Sequence, residues 1–192
     1  MAETPSTMLE LGTEAPDFHL LEPATFRMVS KMQFEGQPLL VAFLCNHCPF
    51  VLHIKDVFAA FAAEYAERGI GVVAINSNDI THYPDDHPDR MTEMARATGF
   101  AFPYLFDETQ EVARAYRAAC TPDFFLFDAD HRLVYRGRFD AATPGNSEPV
   151  TGADLRGACD ALLEGTPMPD DQKPSMGCNV KWKPGHEPDY AR

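Results

Sequence analysis

Two cysteines bracket a polar pair in Cys45-Asn46-His47-Cys48-Pro49, and this pattern has a definite chemistry. Thiols at that spacing can close a short disulfide when a helix begins beside them. Free amide N–H groups and the helix dipole favour a thiolate there, and the thiolate is the form that attacks disulfides and peroxides. Pro49 suits a first helical position, because its missing N–H is not needed. Cys45 precedes the helix and is expected to be the exposed, low-pKa sulfur. Cys48 lies a turn further in and is expected to resolve the mixed disulfide. A cationic His47 would lower the Cys45 pKa and make the couple more oxidising, the alternative being a solvated loop histidine. His53 falls on the helix and reads as a surface residue.

The segment has to be held between a strand and a helix, and the hydrophobic pattern supplies both. Leu39 to Leu44 is an unbroken apolar run, suited to a central strand covered on both faces. After Pro49, Phe50, Ile54, Phe58, Phe61 and Tyr65 recur at helical spacing, with Gly69 as a stop. Ile70 to Ile75 reads as a second buried strand, parallel and adjacent to the first across that helix. Upstream, Phe18 to Leu21 and Phe26 to Val29 predict a hairpin. Downstream the pattern predicts a loop over 76–89, a helix over 88–98 ended by Gly99, and a strand over 102–106. A helix over 109–118 follows, capped by Thr109, and then a hairpin of 123–127 with 132–135. The last helix runs over 151–163, with Thr151 and Asp154 as a loose capping box. The alternation predicts an α/β fold with a mixed central sheet and helices on both faces. Residues 1–165 make that domain. Residues 166–192 are Pro-rich and aperiodic, so this tail is expected to pack on the domain without regular elements. Trp182 would pin it, with the stems of Lys181 and Lys183 alongside.

The chain has 192 residues, 45% hydrophobic and 23% charged, which is ordinary globular composition. Lys and Arg number 16 against 29 Asp and Glu, a net charge of −13, and such a surface repels both the phosphates of nucleic acid and anionic membranes. No apolar run approaches the ~20 residues that span a bilayer. The acidic first residues lack the features of a secretory signal, so a cytoplasmic placement is expected. Thiols stay reduced there, and the five cysteines are not expected to form a structural disulfide framework. Cys159 reads as core. Cys120 and Cys178 read as small buried hydrophobes, with an auxiliary redox thiol as the alternative for each; Cys178 could form a mixed disulfide with Cys45.

Several segments in order resemble one family. Gly12-Thr13-Glu14-Ala15-Pro16-Asp17-Phe18, the Cys45–Pro49 segment, Phe102-Pro103-Tyr104-Leu105-Phe106-Asp107-Glu108 and Thr121-Pro122-Asp123-Phe124 are similar to the thioredoxin-like superfamily. The branch is that of alkyl hydroperoxide reductase and thiol-specific antioxidant proteins, with a CxxC motif, and the resemblance spans Gly12 to Leu163. The Gly177-Cys178-Asn179 tail, with Lys181-Trp182-Lys183-Pro184, resembles bacterial thioredoxin-family proteins that share C-N-H-C-P-F. The resemblance implies a thioredoxin-like three-layer fold and a cis peptide before Pro122 facing the CxxC. It also implies that the Thr121 backbone pairs with the substrate's chain. Two departures stand out. Pro38 and Cys45 fit the peroxiredoxin spacing P-x-x-x-T/S-x-x-C, but Ala42 replaces the hydroxyl residue and offers no hydrogen bond. Leu44 and Asn46-His47 stand where thioredoxins have Trp and Gly-Pro.

These readings converge on a thiol–disulfide oxidoreductase with a Cys45–Cys48 redox pair and no cofactor. Its partners would be a disulfide-bearing protein or a small thiol or peroxide, and a thiol electron donor. A peroxiredoxin-like thiol peroxidase is the first alternative, disfavoured by Ala42. A copper- or zinc-binding module using Cys45, Cys48 and His47 or His53 is the second. No further Cys/His pair has the spacing to close a four-ligand zinc site, so no metal is expected.

Overall fold

Every residue from Leu39 to Phe43 is buried, as an apolar run covered on both faces must be. In the computed structural model, which describes residues 3–191, this run is the fourth strand. The chain opens with β1 (Glu3–Pro5) and the hairpin of β2 (His19–Glu22) and β3 (Arg27–Ser30). Then come β4 (Leu39–Phe43), α1 (Pro49–Glu67), β5 (Gly71–Asn76), α2 (Pro88–Thr98), β6 (Tyr104–Phe106) and α3 (Glu111–Ala115). The last elements are β7 (Cys120–Thr121), β8 (Asp123–Phe127), β9 (Leu133–Gly137), α4 (Ala153–Glu164) and β10 (Met176–Asn179).

A seven-stranded sheet has the order β3-β2-β6-β5-β4-β8-β9. β4 and β5 are adjacent and parallel, with Leu39 opposite Gly71 and Phe43 opposite Ile75, as expected for two runs joined by a helix. β8 runs antiparallel on the other side of β4, so the sheet is mixed. Side chains alternate across it. Leu40 and Ala42 enter one core with Phe58, Phe61, Leu155 and Cys159, beneath α1 and α4. Leu39, Val41 and Phe43 enter the other with Val112, Tyr116, Phe125 and Trp182. Phe58 is fully buried at the centre of the first core, and burial of such a ring contributes about 1.5–3 kcal/mol. These two cores fix β4 and α1, and hence the junction between them.

Three sequence expectations are corrected. Thr109 is not the cap of α3: Gln110 is, with a left-handed φ of 65°. Its side-chain amide turns inward to the Ser77 and Lys181 carbonyls at 2.6 and 2.9 Å, which shortens the helix. Nor does a Thr151–Asp154 capping box form, since α4 starts at Ala153 after Gly152. The Asp140 carboxylate instead accepts from the Thr151 and Gly152 amides at 2.7 and 2.6 Å. The tail, finally, is not without regular structure. β10 lies between β1 and β7 in a second, three-stranded sheet, and Trp182 is buried at 9% exposure.

Candidate active site

The Leu44 amide still bonds the Ile75 carbonyl at 2.9 Å, so Cys45 is the first residue beyond the sheet. α1 begins only at Pro49, and Cys48 is its N-cap, in extended conformation. Cys48 rather than Cys45 is therefore the residue placed at the open end of the helix. The Thr121–Pro122 peptide is cis, as the resemblance implied, and Thr121 lies against both cysteines. The Thr121 hydroxyl is 3.1 Å from Cys45 Sγ, and the Cys48 thiol reaches the Thr121 carbonyl oxygen at 3.1 Å.

The expected difference in exposure between the two sulfurs does not appear. Cys45 is not the exposed one: it is 1% exposed and Cys48 0%. Burial, the Cys48 sulfur and the Asp86 charge all push the Cys45 thiol well above its ordinary pKa, against the Thr121 hydroxyl. Cys48 goes the other way. The Cys45 thiol donates to it, and the Cys178 thiol and the Val51 and Cys178 amides add to that, together outweighing burial. The Thr121 carbonyl opposes the charge, but these donors outnumber it, and a thiolate is stabilised by the donors around it.

His47 is anchored rather than solvated. Its Nδ1 meets Asp86 Oδ2 at 2.7 Å, and its ring stacks on Tyr83 with centroids 5.3 Å apart. The Asp86 hydrogen bond raises the His47 pKa against the opposing effect of burial. Burial would raise the Asp86 carboxyl, but His47, the Asn46 amide and Asn78 hold it below the usual range. Asp86 is fully buried and also takes the Asn46 amide at 2.6 Å, which fixes the loop between the cysteines. The sequence reading missed Asp86, placing it in a polar loop.

A second missed pair sits behind the cis peptide. Asp123 and Arg136 are both fully buried and joined by two hydrogen bonds, one of them Arg136 Nη2 to Asp123 Oδ2 at 3.1 Å. The Arg136 guanidinium lies 3.6 Å from the centre of the Phe125 ring. Asp123 also accepts the Ala119 amide at 3.1 Å, so the pair clamps both ends of the Cys120-Thr121-Pro122 segment.

The tail closes the site from the opposite side. β10 pairs antiparallel with β7, with Cys178 opposite Thr121 and Asn179 opposite Cys120. β1 flanks it, with Glu3 opposite Cys178. Cys178 is buried, 4% exposed, and its sulfur is 2.7 Å from Cys48 Sγ. The sequence reading took it as a buried cysteine, and the alternative it offered, a disulfide with Cys45, names a different neighbour from the one found. Ser175 Oγ donates to the Pro122 carbonyl at 2.8 Å. Gly177 packs so tightly that an added Cβ would stand 2.1 Å from the Thr121 carbonyl oxygen.

The family model for AhpC/TSA matches residues 11–136. The chain belongs to the AhpC/TSA family. That family places it among thiol redox proteins, an oxidoreductase in the general sense. An uncharacterized conserved protein from Geobacillus kaustophilus is 48% identical, with a TM-score of 0.94 over 96% of this chain and 98% of its own. A protein from Sinorhizobium meliloti is 50% identical, with a TM-score of 0.92 over 95% of this chain and 100% of its own. The thioredoxin domain of a thiol-disulfide oxidoreductase from Bacteroides vulgatus is 13% identical, with a TM-score of 0.59 over 77% of this chain and 96% of its own, a likeness of fold. No curated protein matches this chain. The AhpC/TSA match ends at Arg136, whereas the two alignments near half identity extend into the tail that carries Cys178.

The remaining sequence candidates divide. Cys120 is fully buried with its thiol 3.5 Å from the Pro122 carbonyl, and Cys159 lies in the core beneath α4. His53 is exposed on α1 and is not gathered into the site. Cys45, His47 and Asp86 bring a sulfur, a ring nitrogen and a carboxylate oxygen within 4.8 Å of one another. That set is one short of a closed zinc site, and the Asp86 oxygens are already engaged by Asn46, Asn76 and Asn78. No helix among the described residues is long and apolar enough to cross a membrane.

Proposed function

We propose that the protein is a thiol–disulfide oxidoreductase whose redox pair is Cys48 and Cys45, with Cys48 as the attacking thiolate. The observation that carries this is the helix N-cap position of Cys48, where the Cys45 thiol and the Val51 amide both favour its charge. Cys48 Sγ⁻ attacks a substrate disulfide R–S–S–R, forming Cys48–S–S–R and releasing RS⁻, which takes a proton. The Cys45 thiol then loses its proton and attacks Cys48 Sγ, closing Cys45–Cys48 and releasing the second RSH. The substrate is oxidant and the protein dithiol reductant, so no cofactor enters. The Asp86 hydrogen bond raises the His47 pKa, which favours a cation on the loop between the cysteines.

A small disulfide suits this site better than a polypeptide, because β10 already occupies the Thr121 backbone edge. The test is a single turnover. Pre-reduced protein, freed of reductant, is mixed with glutathione disulfide and the released thiol is followed. Wild type should release two thiols per protein disulfide formed, and Cys48→Ser should fall to background; a Cys48→Ser variant as fast as wild type overturns the assignment.

A thiol peroxidase is the second reading, favoured by one observation. Ala42 lacks the expected hydroxyl, yet the Thr121 hydroxyl stands 3.1 Å from Cys45 Sγ. Peroxide consumption that survives in Cys48→Ser and disappears in Thr121→Val would favour it over disulfide exchange.

A further inference from the structure

Cys178 is not used by the two-thiol reaction above, yet its sulfur lies against the attacking sulfur. Its Sγ is 2.7 Å from Cys48 Sγ across 130 residues of chain. β10 holds it there in the register of a strand added to Thr121, the edge at which the resemblance places a substrate chain. The tail thus presents a cysteine to Cys48 in the manner of a docked substrate.

The placement is built, not incidental. Gly177 is the residue that permits the approach, since any Cβ would strike the Thr121 carbonyl. Ser6 and Ser175 tie β1 to β10: the Ser6 amide reaches the Ser175 carbonyl at 2.9 Å and the Ser175 amide reaches Ser6 Oγ at 2.9 Å. On the other side of Cys178, the Val180 amide bonds the Ala119 carbonyl at 3.1 Å, and Asn78 and Gln110 hold Lys181 and Lys183 at 2.8 Å each. A thiol fixed from both flanks against a reactive sulfur reacts with little ordering cost.

We propose that Cys178 is a second resolving thiol, so that Cys48 is the pivot of two alternative disulfides, Cys45–Cys48 and Cys48–Cys178. The proposal rests on Cys48 being the attacking thiol. The Cys178 thiol loses its proton and attacks Cys48 Sγ in either the mixed disulfide Cys48–S–S–R or the Cys45–Cys48 disulfide. A Cys48–Cys178 bond forms, and RS⁻ or the Cys45 thiolate leaves and takes the proton. The first route completes the two-electron reduction of the substrate; the second is an exchange with no net oxidation. In the reduced protein, burial and the negative Cys48 sulfur keep the Cys178 thiol protonated, while Lys181 favours its ionisation. Once Cys48 is in a disulfide, its opposing charge is gone.

The test uses the full chain, pre-reduced, with glutathione disulfide as the probe, acid quenching, alkylation, and mass mapping of the disulfides. Cys45→Ser should still release both glutathione molecules and end with Cys48 bonded to Cys178. Cys45→Ser/Cys178→Ser should stop at glutathionylated Cys48. The proposal is overturned if Cys45→Ser accumulates the same Cys48–glutathione adduct as the double variant. The wild type, which folds without any substitution, gives an independent readout: Cys48–Cys178 should appear among its disulfides, and a time course holding only Cys45–Cys48 overturns the proposal. Failure of the underlying reading looks different, because Cys48→Ser would then accumulate glutathionylated Cys45.

Discussion

The cis Thr121–Pro122 peptide is approached from two sides, and the two are built by opposite means. On one side stand Cys45 and Cys48, placed by a strand and a helix contiguous with them in sequence. On the other stands Cys178, brought by a four-residue strand that has no periodicity and pairs with β1 near the start of the chain and with β7 in its middle. The first side is specified by local burial and a proline. The second depends on a glycine small enough to pass a carbonyl and on hydrogen bonds from four distant segments. Both meet at Cys48. Reactivity is thus concentrated where local and long-range construction converge, which the motif alone does not reveal.

The largest expected effect separates the two sides directly. Cys48→Ser removes the sulfur common to both and should reduce disulfide exchange to background. Cys45→Ser removes only the local partner and should keep measurable turnover in the thiol-release assay. Release of one thiol in place of two by Cys45→Ser would mean that the tail side is inert.

Next in size is the clamp behind the peptide that both sides share. Arg136→Met leaves Asp123 buried without its partner, which costs about 3–5 kcal/mol. Urea unfolding should show it as a lower midpoint at unchanged slope. A midpoint near wild type would mean that Asp123 is neutral in the folded protein.

Gly177→Ala tests the tail side alone. The new methyl should push β10 from Thr121, destabilising by about 1–3 kcal/mol as overpacking does. Disulfide mapping should lose Cys48–Cys178 and keep Cys45–Cys48. The freed Thr121 edge should also admit a polypeptide, so insulin reduction should rise relative to glutathione disulfide. Unchanged mapping would show that the strand accommodates the methyl.

The smallest effect sharpens the local side. The raised His47 pKa contributes stability that is complete below about pH 6.5 and is lost as pH rises through the folded value. The lowered Asp86 pKa contributes stability that is complete above about pH 3.9 and is lost as pH falls through the folded value. Stability from this pair should therefore peak between those limits, and Asp86→Asn should flatten both slopes. In the same variant, iodoacetamide alkylation of Cys48 should titrate at higher pH, because the hydrogen bond that raises the His47 pKa is gone. An unmoved alkylation profile would take His47 out of the electrostatics of the site.

The fold was legible because its signals are local. The buried run over 39–44, the spacing of Ile54, Phe58 and Phe61, and the hairpins are set by residues near in sequence. The CxxC motif and the Thr121-Pro122 segment could be read for the same reason. The helix caps at Thr109 and Thr151 were misread because Gln110 and Asp140 satisfy partners that the sequence does not place nearby. Asp86 hid in a polar loop, since an aspartate among polar residues carries no sign of being fully buried.

By itself, then, the sequence determined which residues could carry thiol chemistry and the strand and helix that hold them, since hydrophobic period and proline placement act over a few residues. Only the tertiary structure decided what surrounds each sulfur. Donors gather at Cys48 because α1 starts at Pro49 and because a thiol and an amide of Cys178 arrive from the far end of the chain. Ionisation depends on every donor and charge within a few ångströms, and those neighbours are assembled by folding rather than by order along the chain.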